Sequence, residues 1–255
     1  MDLFDQRAAG DADAGEYGLS GEMKKTQYVL QLLGAAYCAD TLKCILVAAE
    51  QGMEMNTGTI DVAGGENQSA DFIAISEFGM LPALKENDFF SYGVKSITEY
   101  VNARGLGFSL IPKNVTLAAE QDDCCAIARN QAGPHISAIV NETLVKASND
   151  AATIDAAKAA LGPLLDDLEQ RLTKNKFVAG KNFSLADIYW MAQLHLLSLT
   201  PANDLIEQRA KVKAWMGTLR AKKSNCGQAL IATSLLPTVA DVQSNTIKDV
   251  VITDF

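Results

Sequence analysis

Thiols are the most reactive side chains this sequence offers, and their spacing limits what they can do. The five cysteines are Cys38, Cys44, Cys124, Cys125 and Cys226. None forms a Cys-x-x-Cys pair, so a dithiol redox motif and a thiolate zinc site both lack their usual spacing. An odd count in a chain of 255 residues argues for a reducing compartment rather than a disulfide framework. The only histidines, His135 and His195, are far apart in sequence. A His-rich metal site is thereby excluded, and no metal is expected. Adjacent Cys124 and Cys125 fall within a helical pattern and read as small buried hydrophobes.

The charge distribution removes other classes of function. Net charge is −9, from 22 Lys plus Arg against 31 Asp plus Glu. The segment up to Met23 carries −5 and the segment from Pro237 onward −2, leaving a body near neutral at −2. No basic face is available to track phosphates, so nucleic acid is not an expected partner. No apolar run approaches the roughly 18 residues that a membrane span needs, and membrane insertion is not expected. The acidic, Gly/Ala-rich start resembles neither a secretory signal nor an Arg-rich transit peptide. A reducing intracellular compartment is expected, the cytoplasm first, with an organelle after removal of a leader as the other option.

Two regions with different periodicity must position whatever chemistry exists. From Gln27 to about Tyr100 short apolar runs alternate with helical stretches. Tyr28-Val-Leu-Gln-Leu-Leu33 reads as a buried strand, 40–51 as a helix stopped by Gly52, and 53–62 as a second strand. Leu81 to Leu84 and Phe89-Phe90 bracket a hairpin turn, and 93–101 is again helical. Beyond Pro112 the strand signals vanish, and 116–128, 134–147, 153–172, 185–199 and 205–221 carry apolar residues at helical spacing. Leu161, Leu164, Leu165, Leu168 and Leu172 form one stripe that should face a core. The expected fold class is a small α/β domain over 27–108 followed by an all-α helical domain over 109–233. An acidic extension (1–26) and a C-terminal tail (234–255) flank them.

Three segments in this order resemble the glutathione transferase superfamily. Phe78-Gly-Met-Leu-Pro-Ala-Leu84 is similar to the family's aromatic-Gly-x-Val-Pro-x-Leu segment. Val178-Ala-Gly180 followed by Phe183-Ser-Leu-Ala-Asp-Ile188 is similar to its helical-domain signature. Lys211-Val-Lys-Ala-Trp-Met216 resembles its late helix. The resemblance implies a thioredoxin-like first domain with a cis peptide at Pro82, where the main chain of Leu81 would receive a cysteinyl peptide. The helical signature is readable by itself: Ser184 is an N-cap, Asp187 its reciprocal partner, and Phe183 and Ile188 form a hydrophobic staple. Those four residues carry structure, not chemistry.

The catalytic side chain of that family lies near the start of its first helix, and the match puts Cys38 there, with Tyr37 as an alternative hydroxyl. A helix N-terminus lowers a thiol's pKa, whereas the Asp40 carboxylate raises it. The family's Glu-Ser pair, whose hydroxyl holds the γ-glutamyl carboxylate, falls at Gly93 and Val94. Loss of that hydrogen bond is worth roughly 1.5–3 kcal/mol, and the branched Val94 side chain is expected to crowd the carboxylate. Lys43 and Lys95 are candidate basic groups, expected to be solvated. The acceptor pocket is expected along 124–128. On these departures the sequence reads as a divergent, non-catalytic or weakly catalytic transferase-like scaffold, a subunit of a larger protein assembly or a homodimer, without a cofactor. Its tail could then add as a strand to a partner's sheet edge, or pack on its own body. The alternative reading is a glutathione-dependent transferase or thiol reductase using Cys38, which would bind glutathione.

Overall fold

The computed structural model describes residues 30–221 and 235–251. The expected acidic extension over 1–26, and Cys226, lie outside the described residues. The first region runs β1 (Leu30–Gly34), α1 (Ala39–Glu50), β2 (Met55–Thr59), a 3₁₀ turn, α2 (Ala70–Ile73), β3 (Ala83–Glu86), β4 (Phe89–Tyr92) and α3 (Val94–Arg104). Its four strands lie in the order β2-β1-β3-β4, with β1 parallel to β2 and antiparallel to β3, and β3 antiparallel to β4. This is the thioredoxin-like arrangement. Alternation along β1 sends Leu30 and Leu32 into the main core, while Leu33 faces a smaller cluster of Ile60, Phe72 and Ala83.

The second region is helical: α4 (Val115–Ala126), α5 (Gly133–Val140), α6 (Ala151–Lys174), α7 (Leu185–Ser198), α8 (Asp204–Glu207) and α9 (Ala210–Ala221). Two π-helical segments, Ile127–Ala132 and Asn141–Val145, follow α4 and α5, where simple helical periodicity predicts none. The leucine stripe of α6 faces inward as expected, with Leu161, Leu165, Leu168 and Leu172 buried and Leu164 partly so. Both regions share one core, because α1 packs against α3 on one side and α7 on the other. Nearly every residue of α1 is buried in consequence.

As far as Val251 the C-terminal segment packs on its own body. Its helix α10 (Val239–Gln243) packs against the Asn141–Val145 segment of the helical region, and Val250 pairs with the molecule's own sheet edge. Met55 N–H donates to Val250 C=O at 3.0 Å and Val250 N–H donates back to Met55 C=O at 2.9 Å. Asp249 accepts from the Thr57 N–H at 2.6 Å and its hydroxyl at 2.8 Å. Edge strand β2 is thereby partly covered by its own chain. Among the described residues no helix is long and apolar enough to cross a membrane.

Candidate functional site

Sheet register brings three segments to one end of the sheet. Leu33 pairs with Ala83, and Ala83 pairs with Tyr92. The loop leaving β1, the chain entering β3 and the start of α3 therefore meet there. Gly34 is required where α1 closes down on β1: a Cβ on it would lie 2.4 Å from Thr41 Oγ1. That hydroxyl accepts the Ala35 N–H at 3.2 Å.

Cys38 is the N-cap residue of α1, is partly exposed, and makes no side-chain capping bond. It lines an open cleft of about 380 Å³ between the two regions, with Ala39, Asp40, Arg129, Pro134, Ser137 and Gln193 among its walls. Burial pushes the Cys38 thiol up and Asp40 adds to this, while the Thr41 and Asp40 N–H groups and the Thr41 hydroxyl act the other way. Tyr37, packed against the core, does not line this cleft, and its hydroxyl is pushed up by burial and by Cys38 and Asp61. Of the two candidates, the thiol is the one that faces the open space.

Asp40 is not an unopposed negative charge. Lys43 Nζ lies 2.6 Å from one carboxylate oxygen and Arg129 Nε 3.4 Å from the other. The expectation that Lys43 is solvated is wrong: it is fully buried, with its ammonium 4.8 Å from the centre of the Tyr189 ring. Burial is tolerated because the carboxylate and the aromatic face replace water. Arg129 comes from the π-helical segment after α4, so this ion pair ties the two regions together. Lys95 is exposed and engaged with Glu99 at 3.3 Å and Asp122 at 2.5 Å; it is not poised over the sheet end.

The Leu81–Pro82 peptide is cis, as the resemblance implies. Among the described residues nothing takes up the main-chain N–H and C=O of Leu81. Gly93 donates its N–H to Pro82 C=O at 3.0 Å and caps α3 with φ 84°, a backbone region that strains residues with a Cβ. Val94 begins α3 and is fully buried in the main core. The expected crowding is therefore corrected, because the branched side chain packs inward. What is missing is the hydroxyl; the free N–H groups of the first turn of α3 remain.

None of the stretch 124–128, expected to line an acceptor pocket, lines the Cys38 cleft. Cys124 and Cys125 are buried, and the cleft is lined by residues one to three turns later, from Arg129 to Ser137. Cys124 instead lines a separate groove of about 590 Å³ beside Arg171 and Phe183. Ser184 and Asp187 form the expected capping box at α7, next to the partly buried Phe183 and the buried Ile188. Asp187 also accepts from Val178 N–H and Trp215 Nε1, each at 3.0 Å.

Residues that sequence reasoning missed are Arg129, Gln193 and Asn245. Asn245 accepts the Ala36 N–H at 2.8 Å and donates to Ile60 C=O at 3.1 Å. Only the nearby Thr238-x-x-Asp241 capping pattern signals ordered structure in that segment.

Comparison with known proteins agrees with this fold. The family model described as "Glutathione S-transferase, C-terminal domain" matches residues 132–223. A rice (Oryza sativa subsp. japonica) protein named probable glutathione S-transferase GSTF2 is 28% identical over 201 residues, 77% of this chain and 94% of that protein. The crystal structure of glutathione transferase F7 from Populus trichocarpa superposes with a TM-score of 0.69 at 29% identity, covering 76% of this chain and 95% of that one. A glutathione S-transferase-I bound with lactoylglutathione gives a TM-score of 0.69 at 26% identity, covering 76% of this chain and 94% of that one. These findings overturn the non-catalytic scaffold expected from the sequence. The proteins that this chain matches over three quarters of its length are named as transferases, and one of them holds a glutathione derivative. The physical reason for the error lies at Val94, where a missing hydroxyl was equated with a blocked site.

Proposed function

The chain belongs to the glutathione transferase superfamily, and from that premise we propose that it is a glutathione-dependent transferase acting through the Cys38 sulfur. The observation that carries this reading is the position of Cys38 at the N-cap of α1 on an open cleft walled by both regions. Glutathione is the substrate whose shape suits the sheet end. Its cysteinyl peptide would pair with the main chain of Leu81, beside Pro82. Its γ-glutamyl carboxylate would lie on the free N–H groups that follow Gly93, and these favour an anion without any side-chain hydroxyl.

Cys38 offers the sulfur that thiol exchange needs, with burial and Asp40 holding its thiol up against the groups that favour the thiolate. Its thiolate attacks the sulfur of a mixed disulfide between glutathione and a second thiol, and a protein–glutathione disulfide forms as the other thiolate leaves. A free glutathione thiolate then displaces Cys38 and departs as glutathione disulfide. The N–H groups and hydroxyl that favour the thiolate at Cys38 would act in the attacking state.

The test is retention on immobilised glutathione followed by a thiol-exchange assay. The parent protein should be retained, and Cys38→Ser should lose exchange by roughly a hundredfold or more, since a hydroxyl cannot form the disulfide. Absence of retention together with absence of glutathione-dependent turnover would reject the reading.

We further infer that two copies associate through the exposed apolar surface of Phe78, Met80 and Phe90. Phe78 is 67% exposed, an expensive position for a phenyl ring on a monomer. Sedimentation velocity giving a single copy at micromolar concentration would remove this inference. The free cysteines among the described residues fit a cytosolic or other reducing compartment.

A further inference from the structure

The loop that carries Cys38 is held from outside its own domain. Ala36 is buried, and its N–H is met by the Asn245 side chain at 2.8 Å, 209 residues away in sequence. The same amide donates to Ile60 C=O at 3.1 Å, and Ile60 N–H donates to Gly34 C=O at 2.8 Å. One side chain thus ties the exit of β1 to the exit of β2. Cys38 N–H in turn donates to Ala35 C=O at 3.0 Å, so the turn between Ala35 and Cys38 is closed on a residue that Asn245 flanks. Asn245 itself sits at φ 53°, a left-handed conformation that asparagine accepts more readily than most residues. Leu235, Pro237 and Ile247 from the same segment pack over Ala35, Ala36 and the first turn of α1.

We propose that Asn245 is a positioning residue for Cys38, and that the C-terminal segment is a strap fixing the nucleophile loop. The proposal rests on the functional reading above for its consequence in turnover, but its effect on the thiol can be read independently. A buried N–H without a partner is costly, so removal of the Asn245 amide should let the Ala36 to Cys38 turn relax toward water. The attack geometry then loosens while the thiol becomes easier to reach.

Asn245→Gly is the variant to use, because glycine keeps the left-handed backbone and removes both hydrogen bonds. Asp249→Ala is its control, since it removes the strap's side-chain bonds to Thr57 on β2 while the Met55–Val250 pairing and the Asn245 bonds to the Cys38 loop stay in place. Two readouts are needed: kcat/KM for glutathione, and the pH profile of iodoacetamide alkylation followed on the Cys38 peptide by mass spectrometry. Asn245→Gly should lower kcat/KM by about tenfold, the size of effect a small misplacement produces. Its Cys38 alkylation at neutral pH should rise severalfold, with the profile shifted to lower pH. Asp249→Ala should lose thermal stability with the Cys38 profile unmoved. An unchanged profile in Asn245→Gly, or an equal shift in Asp249→Ala, would overturn the assignment. If the parent protein shows no glutathione-dependent turnover, the functional reading falls, and the alkylation profiles still decide the role of Asn245.

Discussion

Helices in this protein begin in two different ways, and the division follows position. In the helical region and the strap, four starts are closed by side chains: Asn114 caps α4, Asp150 caps α6, Ser184 and Asp187 box α7, and Thr238 and Asp241 box α10, while α5 and α8 run on directly from a π-helical and a 3₁₀ segment. In the first region Ser69 caps the short α2, but at the sheet end α1 starts at Cys38 and α3 at Gly93, and neither has a side-chain cap. A cap satisfies N–H groups that otherwise remain free. These two free-standing uncapped starts therefore have donors left for a ligand, and both stand where the Cys38 loop and the Leu81–Pro82 turn converge. A closed start stabilises the fold, whereas an open one leaves capacity to bind.

The largest expected effect breaks the closed side. Asp187 is fully buried and serves Ser184, Val178 and Trp215 together. Asp187→Ala would leave several buried donors without a partner, and should cost about 3–5 kcal/mol. Urea unfolding would read this as a large fall in midpoint. Activity per folded molecule should hold, because no atom of this network faces the Cys38 cleft. A loss of turnover without loss of stability would blur the division between the two kinds of start.

The next effect sharpens the comparison through pH. Burial pushes the Asp187 carboxyl up to about 6 against the hydrogen bonds it accepts. Burial also lowers His195 to about 4, despite the Pro237 carbonyl 2.8 Å from its Nε2. The signs oppose each other. Neutral His195 contributes stability that is present above about 6.5 and lost as the folded state is forced to protonate toward pH 4. Asp187 binds its proton more tightly folded than unfolded, so it adds stability as pH falls from about 6 toward 3.8. Each amounts to about 3 kcal/mol at most, so between them they should leave a shallow stability profile from pH 6.5 to 4. Asp187→Asn removes one of the two, and its unfolding midpoint should then fall steadily on acidification. A parallel pair of profiles would refute the opposition.

How much of this was legible in sequence differs by residue, for physical reasons. Ser184 and Asp187 were readable because a capping box is local: both partners lie within one helical turn. Leu81–Pro82 and the leucine stripe of α6 were readable from contiguous pattern in the same way. Lys43 was not, because a lysine on a helix is normally solvated. Its burial depends on Tyr189 and on the packing of α1 between α3 and α7, none of it adjacent in sequence. Arg129 was hidden by the π-helical segment, which rotates residues away from the face that a regular helix would present. Asn245 acts across 209 residues, and no local pattern encodes such a contact. At Val94 the residue type was read correctly, but the direction of its side chain was not.

That last residue supplies the smallest and most discriminating prediction. If glutathione were held chiefly by a hydroxyl at this position, Val94→Thr should raise affinity by roughly ten- to a hundredfold, the worth of a hydrogen bond to a charged group. If the free N–H groups of α3 are the principal donors, the change should be under about threefold, since the side chain at this position packs into the core and the anion already rests on a helix start. Threonine is close to valine in shape, so the core around Ile97 and Val101 should accept it at a cost of about 1–2 kcal/mol for the buried hydroxyl. We expect the smaller gain. Val94 belongs to the core that supports the helix start, and the main chain above it carries the binding. Calorimetric titration of both proteins with glutathione separates the cases. A tenfold gain would show that this start is open by loss of its cap, and that the backbone alone is a poor substitute.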